Sequence, residues 1–212
     1  MDLFQVWRDD VIAAGYEPVP AHWEELDALF EGRPYHNAEH AREVRDWVVT
    51  LQGSHAARIA AWYHDSIYEP GGEGNEIASA SLARSHLELA GATPALAEDV
   101  ERLILLTEKH DPASGDRNGE IISDADLAIL GSDPERYTEY VTQIREEYGF
   151  LADREFWTGR IGVLERLLDR PAIYRTEPMK ERESQAIVNM RTELGWLQIQ
   201  IGNSQGRRVA LP

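Results

Sequence analysis

Apolar side chains recur every three to five residues along most of this chain, a spacing typical of α-helices with one buried face. In the first such segment the apolar positions are Leu3, Val6, Trp7, Val11 and Ile12. Stretches that alternate apolar and polar residues, as half-buried β-strands do, are scarce. The pattern predicts an all-α protein, a helical bundle of about ten helices, over residues 3–15, 21–32, 37–53, 55–68, 75–91, 94–110, 124–131, 134–149, 154–170 and 180–200.

Residues that start and stop helices fall between these segments. Gly91 follows the end of one helix, and Thr93 is suited to cap the next. Asp133 is placed in the same way ahead of a later segment. We expect loops at EPGGEGNE (69–76) and HDPASGDRNGE (110–120), and a frayed tail over 202–212.

Size and composition predict one domain. The chain has 212 residues, of which 42% are hydrophobic, and this is enough for a substantial core. No repeat, low-complexity segment or long linker divides it. We therefore expect a single domain over 1–212.

The charge balance narrows the choice of partners. Acidic residues outnumber basic ones by 38 to 21, which gives a formal net charge of −17 spread along the chain. Such a surface repels nucleic-acid backbones and anionic lipids, so we expect neither a nucleic-acid polymer nor a membrane as partner. A small phosphorylated molecule is compatible with it, because a bound divalent cation reverses the local potential of a cleft.

The chain contains no cysteine, which excludes disulfides, thiolate zinc sites and cysteine nucleophiles. Any metal must be held by nitrogen and oxygen ligands. The N-terminal segment MDLFQVWRDDVIAAG has acids where a signal peptide has Lys or Arg, and no apolar run approaches the roughly 20 residues of a membrane span. We expect a cytoplasmic protein, in keeping with the reducing compartment that missing cysteines suit.

Two stretches carry histidines that suit metal binding. PYHNAEHAREV (34–44) places His36 and His40 four residues apart at the start of a predicted helix, so both rings are expected on one helix face. AAWYHDSIYEP (60–70) puts His64 beside Asp65 near the end of an apolar helix, where the pair suits an ion held against the helix end. A hydrogen-bonded pair at a helix start explains the first stretch as well.

A third stretch, IISDADLAILG (121–131), supplies carboxylates ahead of an apolar run. Asp124 is suited to cap the helix predicted there, and Asp126 would lie in its first turn, where a negative charge favours the helix dipole. A carboxylate that enters an apolar face also needs a partner, because an unpaired buried charge is costly. Capping and metal binding both remain open for this pair.

Taken in order, these residues resemble the H…HD…D pattern of the HD-domain superfamily of metal-dependent phosphohydrolases. The resemblance implies an HD helical fold, with a metal-binding core over about 33–131 and C-terminal helices over about 133–201 packing on it. It makes His40, His64, Asp65 and Asp126 the metal ligands. Asp126 is preferred to Asp124 because members of the superfamily commonly place this ligand after a small residue and before an apolar helix.

The first stretch also resembles the Tyr-His-Asn-x-x-His motif of cyclic-nucleotide phosphodiesterases, which share this helical core. That likeness makes His36 the general acid and leaves Asn37 to hold the turn. The stretches YHNAEH, WYHDSIYE, NEIASA, DADLAILG and YTEYVTQIREEY are more similar still to a bacterial group of predicted HD phosphohydrolases. The likeness runs over nearly the whole chain. It implies phosphohydrolase chemistry but does not identify a substrate.

We therefore expect an enzyme that hydrolyses a small phosphate ester, a nucleotide or related metabolite, with metal-activated water. Two imidazoles and two carboxylates suit Mn²⁺, Fe²⁺, Co²⁺, Ni²⁺ or Zn²⁺, with Mg²⁺ as a candidate for a second site. Asp65 or Asp126 would position or deprotonate the water, and His36 would protonate the leaving oxygen. Glu76 is the candidate for a supporting catalytic role, and the candidates for substrate binding are Lys109, His110, Asp124, Arg145 and Arg160.

Two other functions fit the same residues. An HD-type diiron oxygenase would need further ligands, which His36, Asp124 or His110 could supply. A non-catalytic module stabilised by a metal ion would use the same four ligands without turnover. The apolar stripe of the C-terminal helix would also allow a homodimer.

Overall fold

Helices account for all the regular structure in residues 2–206, which are the residues described in this computed structural model. The all-α prediction is confirmed. Within that range none of the helices has the length and apolar character needed to cross a membrane. The helices are α1 (Leu3–Ala13), α2 (Pro20–Phe30), α3 (Ala38–Thr50), α4 (His55–Tyr63), α5 (Asn75–Leu89), α6 (Pro94–Thr107), α7 (Arg117–Asp126), α8 (Pro134–Glu147), α9 (Asp153–Leu168), α10 (Glu177–Lys180) and α11 (Glu183–Gly206), with a 3₁₀ helix at Leu127–Gly131.

Side-chain caps begin two helices, α6 and α8, where the sequence predicts them. The Thr93 hydroxyl accepts a hydrogen bond from the Leu96 backbone N–H, and Pro94 is the first residue of α6. Asp133 caps α8 in the same way. Each cap satisfies a backbone N–H group that has no partner inside the helix. Gly91 ends α5 with a φ of +76°, a conformation that costs glycine little.

The region between residues 110 and 131 differs from the prediction. Helix α7 begins at Arg117, inside the expected loop, because the Asp116 carboxylate accepts a hydrogen bond from the Gly119 backbone N–H at 3.0 Å. The helix then ends at Asp126, whereas the sequence predicted a new helix over 124–131, of which residues 127–131 form a 3₁₀ helix. Asp124 is therefore not an N-cap residue; it is buried in the last turn of α7.

Three smaller differences concern helix ends. Helix α4 ends at Tyr63, before the His-Asp pair rather than after it. The one-turn helix α10 was not predicted. Helix α11 continues to Gly206, into the tail that was expected to fray, and residues 207–212 of that tail lie outside the described part of the chain.

The chain divides into two compact units, the first ending at Ala128 and the second beginning at Ile129. The expectation of one domain stays a prediction, and its proposed core, 33–131, lacks α1 and α2, which belong to the first unit. In this unit α4 is the central helix and contacts α1, α3, α5, α6 and α7. Its fully buried alanines, including Ala57 and Ala61, let these neighbours approach closely.

Helices α1, α3 and α4 are also joined by a buried polar cluster. The Asp10 carboxylate accepts hydrogen bonds from Arg45 at 2.6 and 2.7 Å and from the Trp62 indole at 3.0 Å. Asp10 is buried, and these donors replace the water it loses on folding. The cluster fixes α3 against α4, and these two helices carry most of the candidate site.

The second unit is built around the pairing of α9 with α11. Arg160 of α9 donates to both carboxylate oxygens of Glu193 on α11, at 2.8 and 3.1 Å, and both side chains are buried. Glu193 also accepts a hydrogen bond from the Tyr137 hydroxyl of α8 at 2.6 Å. A buried ion pair of this kind needs such additional hydrogen bonds to offset the cost of desolvation.

Candidate metal centre

Four side chains from three helix ends of the first unit converge on one point. His40 lies in the first turn of α3, His64 follows the last residue of α4, Asp65 comes next, and Asp126 is the last residue of α7. One ligand atom from each lies within 4.8 Å of the other three. This group could hold a metal ion, as the sequence predicted for these four residues.

The separations between the ligand atoms suit coordination to a single ion. The Nε2 atoms of His40 and His64 lie 3.2 Å apart. His40 Nε2 is 3.5 Å from Asp65 Oδ2 and 3.3 Å from Asp126 Oδ1. For His64 Nε2 the corresponding distances are 3.0 and 3.4 Å. Bonds of about 2.1 Å to a shared ion would place neighbouring ligands about 3.0–3.4 Å apart, which is close to these values.

The backbone of α4 fixes the orientation of the His64 ring. Its Nδ1 lies 2.9 Å from the carbonyl oxygen of Ala61, so Nδ1–H is the donor. In the neutral ring, the proton on Nδ1 leaves Nε2 with a lone pair that points towards the other three side chains. Such a hydrogen bond to the ring nitrogen remote from the metal is the usual means by which proteins orient a histidine ligand.

The charges of the four groups compensate one another. Although burial opposes it, hydrogen bonds to Asp126 and Asp65 raise the pKa of His40, and the charges of the two carboxylates raise the pKa of His64 well above its usual range. Burial is likewise outweighed at the carboxylates, where the charge of His64 lowers the pKa of both Asp65 and Asp126. Two imidazolium ions carry the same charge as one divalent cation held by two neutral imidazoles. The centre therefore fits a divalent cation in place of two protons.

Burial and access differ across the centre. The His40 and His64 side chains are 4% and 1% exposed, whereas those of Asp65 and Asp126 are 15% and 16% exposed. The imidazoles therefore form the closed side and the carboxylates the open side. An open side is a requirement for a catalytic metal site, in which water or substrate must reach the ion.

His36 lies beside the centre and is not one of the four converging residues. It precedes Asn37, the N-cap residue of α3, so the expectation that His36 and His40 share a helix face is wrong. The two rings are nearly perpendicular, with centroids 5.6 Å apart. The His36 and Tyr68 rings are in contact, with centroids 4.0 Å apart and planes tilted by 30°. A charge on His36 contributes to the lowered pKa of Asp65. This position suits a proton donor next to a metal site.

Arg33 is a residue of the site that the sequence analysis did not identify. Its guanidinium donates to the backbone carbonyls of Asp65 at 2.6 Å, Ser66 at 2.9 Å and His36 at 3.3 Å. It thereby joins the segment that carries His36 to the turn that carries Asp65. Its place two residues before Tyr35 was the only signal in the sequence, since the acceptors at Asp65 and Ser66 lie more than 30 residues away in the chain.

His110 contacts the centre through one of its ligands. Its Nε2 donates to Asp126 Oδ2 at 2.8 Å, while Asp126 Oδ1 faces the two histidine ligands. Lys109, the neighbour predicted with it as a substrate contact, is exposed after the end of α6. His110 therefore lies against a ligand of the centre, where it was predicted to bind substrate.

The remaining predicted residues lie outside the group of four. Glu76 is in the first turn of α5, partly exposed, and makes no hydrogen bond or ion pair with residues of the described range. Arg145 donates to the carbonyls of Tyr148 and Leu151 and to Asp153 within the second unit. Arg160 is paired with Glu193, as described above. For both arginines these contacts give a structural role within their own unit.

Comparison with protein-family models, with curated protein sequences and with solved structures found no match to this chain. Membership of the HD superfamily therefore stays a prediction from the motifs.

Proposed function

We propose that this protein is a metal-dependent phosphohydrolase that acts on a small phosphate ester, a nucleotide or related metabolite. One observation carries the proposal: two imidazole nitrogens and two carboxylate oxygens converge, with separations that suit coordination to one ion. One of the two histidines is also oriented through its other ring nitrogen. The partly exposed carboxylates on the open side and His36 beside them support a catalytic rather than a purely structural ion.

His40, His64, Asp65 and Asp126 would hold the ion. The mixed nitrogen and oxygen set suits Mn²⁺, Fe²⁺, Co²⁺, Ni²⁺ or Zn²⁺. When bound, a divalent ion in such a site lowers the pKa of a water molecule and neutralises charge on a phosphoryl oxygen. The net charge of −17 makes that neutralisation a requirement for any phosphorylated substrate.

The side chains of the centre account for the protons in hydrolysis. The oxygen of water forms the new bond to phosphorus, and the bond between phosphorus and the ester oxygen breaks. Asp65 or Asp126 would orient the water, and Asp65 would accept its proton, because both oxygens of Asp126 are engaged by His110 and by the centre. His36 donates a proton to the departing oxygen, an assistance worth about 10²–10⁴ in rate.

Metal content and phosphate release, measured together, test the proposal. Protein purified without chelator is expected to contain about one transition-metal ion per chain and to release phosphate from nucleotides in the presence of Mn²⁺. His40→Ala should lose both the metal and the activity. His36→Ala should keep the metal and lose about 10²–10⁴ of the rate. His55→Ala is the matched control, because His55 is an exposed histidine at the start of α4.

Two outcomes would reject the proposal. If wild-type protein binds metal but releases no phosphate from a broad panel of esters, the ion is structural or serves another reaction. If wild-type protein stays free of metal after incubation with Mn²⁺, Ni²⁺ and Zn²⁺, the centre is an ion-pair cluster and not a metal site.

The diiron oxygenase is less well supported. A second ion needs a second set of ligands, and within residues 2–206 the structure brings together one group of three or more potential metal ligands. Of the candidates for extra ligands, His110 Nε2 is engaged by Asp126. Iron content of two ions per chain together with oxygen consumption would favour the oxygenase over the hydrolase.

A further inference from the structure

The backbone at His110 adopts a left-handed conformation, with a φ of +48°. In residues 2–206 Gln52, with a φ of +60°, is the only other residue besides glycine with a positive φ. This region is unfavourable for residues that carry a Cβ atom. A histidine at such a position calls for a reason beyond the turn itself.

The ends of other helices show what a turn of this kind needs. Helices α1, α2 and α5 are each followed by a glycine in the left-handed region, Gly15, Gly32 and Gly91. His110 lies in the turn after α6, one residue further from the helix end than those glycines, and its backbone N–H bonds to the carbonyl of Leu106 at 2.9 Å. Glycine would end this helix with less strain. The reason for a histidine rather than a glycine at this position therefore lies in its side chain.

The imidazole is directed at the metal centre. His110 Nε2–H donates to Asp126 Oδ2 at 2.8 Å, and Asp126 Oδ1 lies 3.3 and 3.4 Å from the Nε2 atoms of His40 and His64. With one oxygen engaged by His110, the carboxylate presents its other oxygen to the site. A carboxylate that binds an ion through one oxygen occupies one coordination position, whereas one that binds through both oxygens occupies two. One-oxygen binding therefore leaves more positions of the ion open for water and substrate.

We propose that His110 is a positioning residue of the metal centre: the strained turn after α6 seats its imidazole against Asp126 and holds that carboxylate as a one-oxygen ligand. The inference rests on the metal site of the proposed function. It replaces substrate binding as the role of this histidine, because the nitrogen that would contact a phosphate donates to Asp126 instead. Backbone strain of this kind persists where the surrounding structure requires it, and it concentrates at functional sites.

Substitution of His110 by glycine distinguishes the effect of the backbone turn from the effect of the imidazole. His110→Gly keeps the left-handed backbone without strain and removes only the ring, so stability of the metal-free protein to urea should equal or exceed that of wild type. The affinity for Co²⁺ should fall about 10- to 100-fold, as expected for loss of a partner that orients a ligand. The visible absorption of bound Co²⁺ should change, and added imidazole should restore part of the affinity.

Gln52→Gly is the matched control. Gln52 is an exposed residue in the corresponding turn after α3, and its replacement relieves the same kind of backbone strain. This variant should match His110→Gly in stability to urea and match wild type in Co²⁺ affinity and absorption. His110→Asn, which tolerates the left-handed region but is too short to replace the ring, should resemble His110→Gly.

Wild-type Co²⁺ affinity and absorption in His110→Gly would overturn the inference. So would an equal loss of affinity in Gln52→Gly, because the effect would then come from the backbone. Since the readout is metal binding, a wild-type protein that binds Co²⁺ but hydrolyses no phosphate ester would reject the proposed function and leave this test intact. Wild-type protein that binds no metal would reject both.

Discussion

Arg33 shows how a single residue can set the geometry of this centre without touching the four converging side chains. Its guanidinium lies 5.7 Å from the Phe30 ring and 6.0 Å from the Tyr68 ring, and it donates to carbonyls on both sides of the site. The planar fork of arginine reaches two acceptors at once, which the ammonium group of lysine does in a less ordered way. The distance between His36 and Asp65 therefore depends on this side chain.

Replacing Arg33 by lysine is expected to weaken the centre. Arg33→Lys keeps the charge but loses at least one of the bonds to Asp65 and Ser66, which should lower the free energy of unfolding by about 1–2 kcal/mol. Co²⁺ affinity, measured by titration, should fall about tenfold. Arg42→Lys serves as control, because Arg42 forms surface ion pairs with Glu39 and Asp46 that contribute little. Unchanged Co²⁺ affinity in Arg33→Lys would contradict this role.

At the scale of secondary structure, the N-cap of α3 both begins the helix and positions His40, one of the four converging residues. Asn37 accepts hydrogen bonds from the backbone N–H groups of Glu39 and His40, at 3.0 and 3.2 Å. Its amide also donates to the carbonyls of Arg33 and Pro34. The cap thus connects the loop that carries His36 to the helix turn that carries His40.

Asn37→Ala is expected to destabilise the protein and to weaken metal binding together. Loss of the cap should cost about 1 kcal/mol of unfolding free energy. Because His40 lies in the first turn of α3, fraying there should also lower Co²⁺ affinity. Thr93→Ala removes the corresponding cap of α6, which carries none of the four ligands, and should cost a similar free energy with no change in affinity. Equal loss of Co²⁺ affinity in Asn37→Ala and Thr93→Ala would show that affinity falls with the stability of the whole protein and not through the start of α3.

At the scale of the whole molecule, the four converging side chains all belong to the first of the two compact units. They come from the ends of α3, α4 and α7, which contact one another. A metal ion bound there joins segments up to 86 positions apart, from His40 to Asp126. An ion that binds only the folded state must stabilise it by an amount that rises with the logarithm of the free ion concentration above the Kd.

Thermal unfolding should therefore depend on metal. At a free Mn²⁺ concentration about 100 times the Kd, the stabilisation is about 2.7 kcal/mol. For a protein of this size that corresponds to an increase in Tm of roughly 5–10 °C. His64→Ala should lose the increase and His55→Ala should keep it, and EDTA should reverse it in wild type. A shift of equal size in His64→Ala would mean that Mn²⁺ acts elsewhere on the protein.

How far the sequence predicts the molecule depends on how local each feature is. Thr93 and Asp133 were identified as caps because a cap acts within three residues, a range that the sequence displays directly. Residues 117–123 were predicted as loop and are helical, since the Gly and Asp residues of this region favour a loop and an N-terminal cap equally well. Asp116 caps α7, so the helix runs through Asp124, which is buried in its last turn.

The sequence by itself determined that this chain is all-α, where most of its helices lie, and which four residues were candidates for a metal site. The first two follow from periodicity and from caps, and the four candidate residues follow from the resemblance of their ordered pattern to the HD superfamily; all of these can be read from the linear chain. Only the tertiary structure decided that the four side chains meet, that His36 lies beside them, and that Arg33 and His110 contact the segments around them. Most of those contacts join segments that are far apart in the sequence, and packing of the helices is what brings such segments together.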